Sequence, residues 1–420
     1  MEIPYLTAEL PGIGGQIKVR PEDFIVEEIP LYEPSGGGIH CYAQIEKRGV
    51  PTLAAVNQFA KALGRRAVDV GYAGLKDAQA IARQTFSIEH ESHERIAALK
   101  LSNMKILGVK RHTNKLKIGH LAGNRFTIKI RRAEWGQPGG SVAEANTRAA
   151  AILERLAATG VPNFFGMQRF GMRRDNHLLG LYLLRLRSKE FLTRWLGEPD
   201  DRVDHGSVLE ARRHFANNNL ELANAHWPGH LRDERRALSI LSRNPEQWDK
   251  AMKVVDIRLK RLLISALQAH LFNELLRLRL GKINTMLAGD LAWKHDIGAV
   301  FRVEADDAKL AIEQARCDKH EISPSGPMFG YRMTQPEGVP LEMENMVLTS
   351  NELSMEEFQG PRAYKTKGSR RPMRFFPSEA QLTSGTDDLG PYLELRCVLS
   401  PGCFATVLLG EIMKTDVPEQ

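Results

Sequence analysis

Alternation of apolar and polar residues near the N-terminus predicts two short strands. Apolar residues dominate Phe24–Glu27, and further along the chain polar neighbours separate Ile39, Cys41, Ala43 and Ile45. A period of two is typical of a strand with one buried face. A helix is predicted next, with Thr52 as its N-cap and Gly64 as its end. Val68–Ala73 is predicted as a further strand, and it leads into the glycine turn Gly74–Asp77.

A later strand has two chemically different faces. Its apolar positions are Phe126, Ile128 and Ile130, and the basic positions between them include Arg125, Lys129 and Arg131. Such a strand can bury the apolar face and offer the basic face to a phosphate backbone. The capping-box pair Ser141 and Glu144 then predicts the start of a helix that ends near Gly160.

From residue 161 onward the pattern becomes mainly helical. The clearest helix is predicted over 255–280, where leucines recur at helical spacing. Strand periodicity returns at Leu393–Leu399, and a last helix is predicted over 404–414. We therefore predict an α+β fold in which residues 1–160 and 376–420 form one domain and residues 161–375 form an inserted, mostly helical domain.

The composition is that of a globular protein, with 42% hydrophobic and 26% charged residues in a chain of 420. No apolar run approaches the length of a membrane span, and the N-terminus lacks the pattern of a signal peptide. We therefore expect a cytoplasmic protein. The four cysteines include no Cys-x-x-Cys pair, so we predict no metal site.

The charge distribution is uneven although the net charge is only +7. The window Arg95–Ala133 contains no Asp or Glu but eleven Lys or Arg residues. A second basic cluster extends from Arg362 to Arg374. Two basic clusters of this kind indicate binding to a polyanion, and nucleic acid is the first candidate.

The turn Gly74–Asp77 presents a single carboxylate, Asp77, among cations. Nearby positive charge favours the ionised form of a desolvated carboxylate. An ionised carboxylate that is fixed in place can act as a nucleophile. Because the same residue types are common in surface turns, the turn alone leaves both interpretations open.

Longer motifs resemble those of the TruD family of pseudouridine synthases, in family order from residue 18 to residue 414. The most specific match is Val161–Gly171. The others are Lys18 with Arg20–Glu27, Gly38–His40, Glu46–Gly49, Thr52, Ala73–Asp77 with Ala80 and Gln84, Leu116–Gly119, Gly123–Phe126, Leu271–Asn273, Gly368–Arg371 and Gly402–Thr406.

The resemblance implies a pseudouridine synthase core, a mixed or antiparallel sheet flanked by helices, interrupted by a TruD-specific domain. It implies conversion of uridine to pseudouridine at position 13 of transfer RNA, with no cofactor and no metal. A monomer is the default expectation for the oligomeric state. By the same resemblance Asp77 is the nucleophile. Lys18 is the matching candidate for the cation that keeps Asp77 ionised and oriented, with a solvated lysine as the alternative. Lys76 is the weaker candidate for that cation, because adjacent side chains of an extended segment point to opposite sides.

Three further residues are candidates to contact the reacting nucleotide, and each has a structural alternative. Asn124 could bond the flipped base or its sugar, or could serve as a turn residue beside Gly123. Phe126 could stack on the base or belong to the core, and Phe404 could form a pocket wall or pack its helix. The candidates to bind the RNA backbone are Lys115, Lys117, Arg125, Lys129, Arg131, Arg169, Arg370 and Arg371, with bracing of Asn163 and Gln168 as the alternative for Arg169.

Two other functions remain open from the residues alone. A non-catalytic RNA-binding protein would need the basic clusters but not Asp77. A nucleoside or glycoside hydrolase would need a second carboxylate facing the same bond, for which Glu22, Asp23 and Glu27 are the candidates. Product analysis separates the three, since they yield unchanged RNA, free uracil or isomerised uridine.

Overall fold

A computed structural model describes residues 3–132, 140–359, 364 and 366–415. The chain divides into two compact units. Unit 1 comprises Met1–Asn163 and Phe375–Gln420, and unit 2 comprises Phe164–Arg374. The boundaries predicted from the sequence, after residues 160 and 375, lie near these positions. In the basic cluster Arg362–Arg374, Arg362 and Lys365 lie outside the described residues.

The strands and helices are numbered in chain order. The strands are β1 (Phe24–Pro30), β2 (His40–Arg48), β3 (Gly71–Tyr72), β4 (Ile81–Glu89), β5 (Met104–His112), β6 (Leu121–Arg131), β7 (Val161–Pro162), β8 (Leu291–Lys294), β9 (Val300–Arg302), β10 (Ile322–Met328), β11 (Ser369–Pro372), β12 (Arg374–Phe375), β13 (Ser378–Asp387) and β14 (Gly390–Leu399).

The α-helices are α1 (Thr52–Ala62), α2 (His93–Ala97), α3 (Val142–Thr159), α4 (Asn176–Leu184), α5 (Ser188–Leu196), α6 (Gly206–Ala216), α7 (Leu220–His226), α8 (Arg232–Arg243), α9 (Trp248–Lys253), α10 (Ile257–Arg279), α11 (Asp307–Asp318), α12 (Gly338–Ser350) and α13 (Ala405–Met413). Short 3-10 helices occur at Pro21–Asp23, Ala67–Asp69, Met167–Phe170, Leu280–Lys282 and Met355–Gln359. None of the helices in the described part of the chain combines the length and the hydropathy that a membrane span needs.

Unit 1 is built on a mixed sheet with the strand order β13-β14-β6-β1-β4-β2-β5, and β3 pairs with β4. Strands β1 and β4 run parallel, whereas β1–β6, β2–β4, β2–β5, β6–β14 and β13–β14 are antiparallel. Helix α1 packs on β2 and β4 through Val56 and Phe59, and α3 lies against β13 and β14. The predicted fold class, a sheet of mixed direction flanked by helices, is confirmed.

Unit 2 contains α4 to α12 and a sheet with the order β11-β10-β8-β9. Its longest helix, α10, contacts α4 and β10 and buries a row that includes Leu263, Leu267, Leu271 and Leu275. This helix confirms the one predicted over 255–280. The sheet was not predicted, because β8, β9 and β11 are too short to show a clear alternation.

Two local predictions differ from the structure for a physical reason. Thr52 is the first residue of α1, not its N-cap; Pro51 takes the N-cap position. The hydroxyl of Thr52 instead accepts a hydrogen bond of 2.9 Å from the backbone N–H of Lys76. The strand predicted over Val68–Ala73 is reduced to Gly71–Tyr72, because the preceding residues form a 3-10 turn closed by Asp69.

Candidate active site

Asp77 lies on the connection between β3 and β4, which pair as antiparallel neighbours. This connection, residues 73–80, is called the catalytic turn below. The Asp77 side chain is 29% exposed, so its carboxylate is partly enclosed but still accessible. A short connection between two paired strands restricts how far the carboxylate can move.

Lys18 provides the cation nearest to the Asp77 carboxylate among the described residues. Its Nζ lies 3.6 Å from Oδ1 of Asp77, and its side chain is only 4% exposed. Opposite charges at this distance attract, so the buried ammonium orients the carboxylate. Lys18 also has a φ of 58°, in the left-handed region that non-glycine residues rarely adopt. Backbone strain of this kind clusters at functional sites.

The neighbouring Lys76 turns to the other side of the chain. Its Nζ lies 2.8 Å from Oε2 of Glu28, and both side chains are 4% exposed. Lys76 is therefore committed to a buried ion pair of its own. The prediction that Lys76 does not face the Asp77 carboxylate agrees with this pairing.

A second lysine, Lys47, holds the backbone of the catalytic turn. Its ammonium donates hydrogen bonds to the carbonyls of Val50 at 2.8 Å and Asp77 at 3.0 Å, with the carbonyl of Lys76 at 3.5 Å. The Lys47 residue is fully buried. Burial lowers the pKa of this lysine from 10.5 to about 8, although the charge of Asp77 opposes the shift.

Lys47 was not predicted to act in the site, although its position in the alternation of β2 indicates a buried lysine. Cys41, Ala43 and Ile45 mark the buried face of β2, and Lys47 continues the same alternation. A lysine at a buried strand position needs hydrogen-bond acceptors for its charge. The carbonyls that supply them come from the catalytic turn and from Val50, and no pattern in the sequence identifies them.

Thr52 and Gln84 also hold the turn. The Thr52 hydroxyl donates to Oε1 of Gln84 at 3.0 Å while it accepts from the N–H of Lys76. The amide of Gln84 lies 3.5 Å from the carbonyl of Gly74. These contacts, together with those of Lys47, fix the backbone on both sides of Asp77.

Aromatic contacts connect the ion pair to Phe126. Lys18 Nζ lies 4.6 Å from the centre of the Phe24 ring, and that ring meets Phe126 edge to face at 5.9 Å. Phe126 is 7% exposed, so it belongs to the core, and it is connected to Lys18 through the Phe24 ring. Stacking of Phe126 on the base stays a prediction.

Asn124 lies on β6, in register with Glu28 of β1 and Leu399 of β14. It is therefore a strand residue, and the turn alternative is wrong. Within the described residues the buried Oδ1 of Asn124 has no hydrogen-bond partner. A buried acceptor without a partner is destabilising, and a bound ligand could supply the missing donor. Phe404 occupies the N-cap position of α13, shortly after β14 ends.

The predicted RNA-binding cations of unit 1 differ in exposure. Lys117 is exposed, and Lys115 is half-buried with its ammonium 2.9 Å from the carbonyl of Val68. Arg125 is 47% exposed and pairs with Glu379 at 3.1 Å. Lys129 is 18% exposed and pairs with Asp387 at 3.0 Å. Exposed pairs of this type are weak, so Arg125 remains available to an incoming phosphate.

Arg131 corrects the prediction that the whole basic face of β6 is exposed. Its side chain is 2% exposed, and its guanidinium makes two hydrogen bonds of 2.7 Å to Asp23, which is fully buried. It also bonds Asp387 at 2.7 Å. These contacts hold the pKa of Asp387 well below its usual range. Arg131 is thus an internal structural cation.

The predicted RNA-binding arginines of unit 2 are also largely internal. Arg370 pairs with Glu344 at 2.8 Å, and both side chains are 4% exposed, which corrects its assignment to the surface. Arg169 donates a hydrogen bond to the hydroxyl of Ser265, and burial lowers its pKa. Arg371 lies over the ring of Phe165, 4.1 Å from its centre.

The carboxylates that a hydrolase would need are engaged elsewhere. Glu22 pairs with Arg48, Asp23 is bound to Arg131, and Glu27 pairs with Arg83. Within the described residues no group of three or more His, Cys, Asp or Glu side chains could hold a metal ion. The candidate site therefore consists of one carboxylate, one adjacent buried cation and a polar and aromatic surround.

Comparison with known proteins gives matches over nearly the full chain. A family model described as tRNA pseudouridine synthase D (TruD) matches residues 1–412. The tRNA pseudouridine synthase D of Geotalea daltonii is 43% identical over 414 residues, which cover 98% of this chain and 100% of that protein. The protein of the same name from Thermus thermophilus is 35% identical over 416 residues, covering 98% and 92% of the two chains.

A solved structure gives an independent match to the fold. The crystal structure of a TruD protein from Methanosarcina mazei superposes with a TM-score of 0.82 and 26% sequence identity. The match covers 99% of this chain and 99% of that one. Similarity therefore extends over both units of the chain.

Proposed function

This chain belongs to the TruD family of tRNA pseudouridine synthases, and from this membership we propose that it converts uridine to pseudouridine in transfer RNA, with Asp77 as the nucleophile. The observation that carries the assignment of Asp77 is its contact with Lys18, at 3.6 Å between Oδ1 and Nζ. A carboxylate that is kept ionised, fixed in a tight turn and partly shielded from water is the group that such a reaction needs.

The reaction is an isomerisation in which no atom is gained or lost overall. The glycosidic bond between C1′ and N1 of uracil breaks, the base turns, and a new bond forms between C1′ and C5. The hydrogen at C5 leaves, and N1 acquires one. Because the oxidation state of the product equals that of the substrate, the chemistry requires no redox cofactor. An ionised Asp77 can serve as nucleophile toward either the ribose or the base.

The surround of Asp77 supplies the remaining requirements. A base must leave its stack before it can react, at a cost of a few kcal/mol. The Oδ1 of Asn124, which has no partner within the described residues, can accept a hydrogen bond from the N–H edge of the base or from a sugar hydroxyl. Phe126 and Phe404 supply aromatic surface for the flipped base. Lys47, Thr52 and Gln84 keep the turn in place while the base moves.

Electrostatic attraction of the RNA backbone offsets the cost of base flipping. Of the predicted RNA-binding cations in the described part of unit 1, Lys115, Lys117 and Arg125 are available for it, and Lys129 is partly exposed. Each phosphate contact releases condensed counterions, so binding should weaken steeply with salt. In unit 2, RNA contact by Arg169 and Arg371 stays a proposal that rests on the family resemblance.

We assign the modification to position 13 of transfer RNA and the active form to a monomer in the cytoplasm. The test is pseudouridine mapping on transfer RNA incubated with the wild-type protein or with Asp77→Asn. The substitution removes the negative charge and keeps the shape of the side chain. We expect a pseudouridine at position 13 with the wild type only, and equal transfer RNA affinity for the two proteins.

Each other outcome contradicts a distinct part of the proposal. Pseudouridine at a different position would overturn the site assignment, and free uracil would indicate a hydrolase. Binding without any product from the wild type would indicate a non-catalytic RNA-binding protein. A wild-type rate for Asp77→Asn would exclude Asp77 as the nucleophile. Sedimentation of the protein with and without transfer RNA tests whether the active form is a monomer.

A further inference from the structure

A cavity of about 320 Å³ lies in unit 1, outside the group of residues described around Asp77. Its walls include the aromatic side chains Tyr32, Tyr42 and His120, and its polar lining includes Glu28, Gln44 and Thr85. We call this cavity the tyrosine pocket. Sites for small ligands begin at about 300 Å³, so it has room for one planar ring system.

We propose that the tyrosine pocket binds an unstacked base of the RNA substrate, a second base besides the reacting uridine. The proposal rests on the proposed function, since it takes RNA as the substrate. It differs from that function in its site, because none of Lys18, Asp77, Asn124, Phe126 and Phe404 lines the pocket.

The aromatic wall is held in place before any ligand arrives. The hydroxyl of Tyr32 lies 2.7 Å from Nδ1 of His120, and its ring stacks on His112 at a centre-to-centre distance of 5.0 Å. The hydroxyl of Tyr42 donates to the carbonyl of Asn114 at 2.9 Å. Aromatic side chains that are already ordered lose little entropy on binding. They are also the surfaces on which single-stranded RNA bases stack.

The polar lining matches the edge of a base. Glu28 accepts a hydrogen bond from the backbone N–H of Thr85 at 3.3 Å, and its charge is balanced by Lys76 at 2.8 Å. An ionised carboxylate can only accept hydrogen bonds, so it pairs with an N–H group on the edge of a base. The amide of Gln44 and the hydroxyl of Thr85 can both donate and accept.

Cations lie beside the pocket, whose own lining holds the carboxylates of Glu28 and Glu33. Lys110 lines the pocket, and its ammonium pairs with the carboxylate of Glu33 at 3.6 Å, with both side chains exposed. Strand β5 and the loop after it belong to the window 95–133, which lacks acidic residues. Lys115 and Lys117 follow on that loop. A base in the pocket would thus have cations nearby for its own phosphate.

The pocket is connected to the catalytic turn by two contacts. Glu28 of the pocket pairs with Lys76, the residue immediately before Asp77. The backbone N–H of Gly119, next to His120, donates to the carbonyl of Ala73 at 2.8 Å. These contacts join the pocket to the catalytic turn, and the proposal requires one RNA molecule to reach both.

The test fills the pocket without removing a charge, and one of its two variants, Gly108→Leu, also leaves every polar group of the lining in place. Gln44→Trp adds a large ring from an exposed position on β2. Gly108→Leu adds a side chain from β5 at a glycine whose Cβ would meet no atom within 4 Å. Leu107→Trp is the matched control, because Leu107 is 39% exposed and does not line the pocket. Circular dichroism and melting curves identify any variant that fails to fold.

The first measurement is the dissociation constant for substrate transfer RNA at one fixed salt concentration. We expect both filling variants to bind about tenfold more weakly than the wild type, the effect of losing one stacked base, and Leu107→Trp to bind as the wild type does. The second measurement titrates AMP, GMP, CMP and UMP into the wild type and Gln44→Trp. Unchanged transfer RNA affinity in both filling variants would overturn the proposal.

The two measurements show whether the base that the pocket binds belongs to transfer RNA or to a free nucleotide. Nucleotide binding that Gln44→Trp abolishes, with unchanged transfer RNA affinity, would assign the pocket to free nucleotides and overturn the RNA proposal. Pseudouridine formation by the wild type is scored separately. If it occurs while the filling variants bind normally, the pocket proposal fails and the proposed function stands. If it does not occur but the filling variants bind transfer RNA weakly, the pocket proposal stands and the proposed function fails.

Discussion

The ammonium of Lys47 donates a hydrogen bond of 3.0 Å to the main-chain carbonyl of Asp77. The lysine thus acts on the backbone of the nucleophile, while Lys18 faces its carboxylate. Lys47 is a positioning residue in this arrangement, since its contacts are with the protein and not with the reacting atoms.

We predict that kcat falls as the pH rises through about 8, the pKa to which burial lowers Lys47. A neutral amine donates fewer hydrogen bonds, so the turn loosens. Stability should change in the opposite direction. Between pH 8 and 10.5 the unfolded chain binds more protons at this lysine than the folded one does, so its contribution to the free energy of unfolding rises with pH. Measurements of kcat and of urea unfolding at several pH values check the predicted fall in rate and the predicted rise in the free energy of unfolding.

The variant Lys47→Met should have a lower kcat and should lose the alkaline limb near pH 8. Lys61→Met, on the exposed side of α1, is the matched control and should retain the full profile. A purely structural role for Lys47 would lower the melting temperature and leave the shape of the profile unchanged. That result would contradict the positioning role.

We predict that Lys18→Met lowers kcat by about 10² to 10³, the effect of losing one buried electrostatic contact in an active site. The KM for transfer RNA should change little, because the Lys18 side chain is only 4% exposed and faces Asp77. Lys18→Arg keeps the charge and should retain part of the rate. Steady-state kinetics on transfer RNA should give kcat values that decrease from the wild type to Lys18→Arg and then to Lys18→Met. Equal rates for Lys18→Met and the wild type would show that Asp77 does not depend on this cation.

Asn124→Ala should lower kcat/KM by roughly tenfold to a hundredfold, since it removes the acceptor that is left unpaired within the described residues. The substitution should not lower stability, because within the described residues this oxygen makes no hydrogen bond in the folded protein. Thr127→Ala on the same strand is the control and should have wild-type kinetics. A lower melting temperature with normal kinetics would instead make Asn124 a structural residue.

Arg131→Met should lower the free energy of unfolding by about 3–5 kcal/mol, because it leaves the fully buried Asp23 without its charge partner. The double variant Asp23→Asn/Arg131→Met should recover part of the loss, since it removes the unpaired charge. Urea unfolding curves measure both values. The salt dependence of transfer RNA binding should not change in the folded fraction. A smaller slope of log K against log salt for Arg131→Met would show that Arg131 contacts the RNA backbone.

Lys117→Gln should weaken transfer RNA binding and reduce the slope of log K against log salt by about 1, as expected for the loss of one phosphate contact. The kcat at saturating transfer RNA should not change. Lys319→Gln on the surface of unit 2 carries the same charge change and is the control. Equal slopes for Lys117→Gln and the wild type would remove Lys117 from the interface.

The local sequence pattern was sufficient to predict the strands and helices in which that pattern continues over many residues. The alternation at Phe126, Ile128 and Ile130 gave β6, and the pair Ser141 and Glu144 forms the predicted capping box of α3. The choice of Lys18 over Lys76 came from resemblance and from the opposite directions of adjacent side chains. Their partners in the structure, Asp77 and Glu28, agree with it.

The features that were not predicted depend on contacts between residues that are distant in the sequence. The hydroxyl of Thr52 bonds Lys76 and so does not cap its own helix. Arg131 is buried because Asp23 and Asp387, from the two ends of the chain, converge on it. No local pattern contains that information. The tyrosine pocket was missed for the same reason, since its wall combines Tyr32, Tyr42 and His120 from three segments.

The strand order of unit 1 has a consequence for biosynthesis. Strand β6, which carries Asn124 and Phe126, is covered on one side by β14, and β14 is translated about 260 residues after β6 ends. At ~5–20 residues per second the ribosome needs tens of seconds to supply it. During that interval the backbone groups of β6 form an open sheet edge, which is prone to wrong pairing. We therefore expect the nascent chain to gain activity only after its last fifty residues emerge, and to depend on chaperones until then.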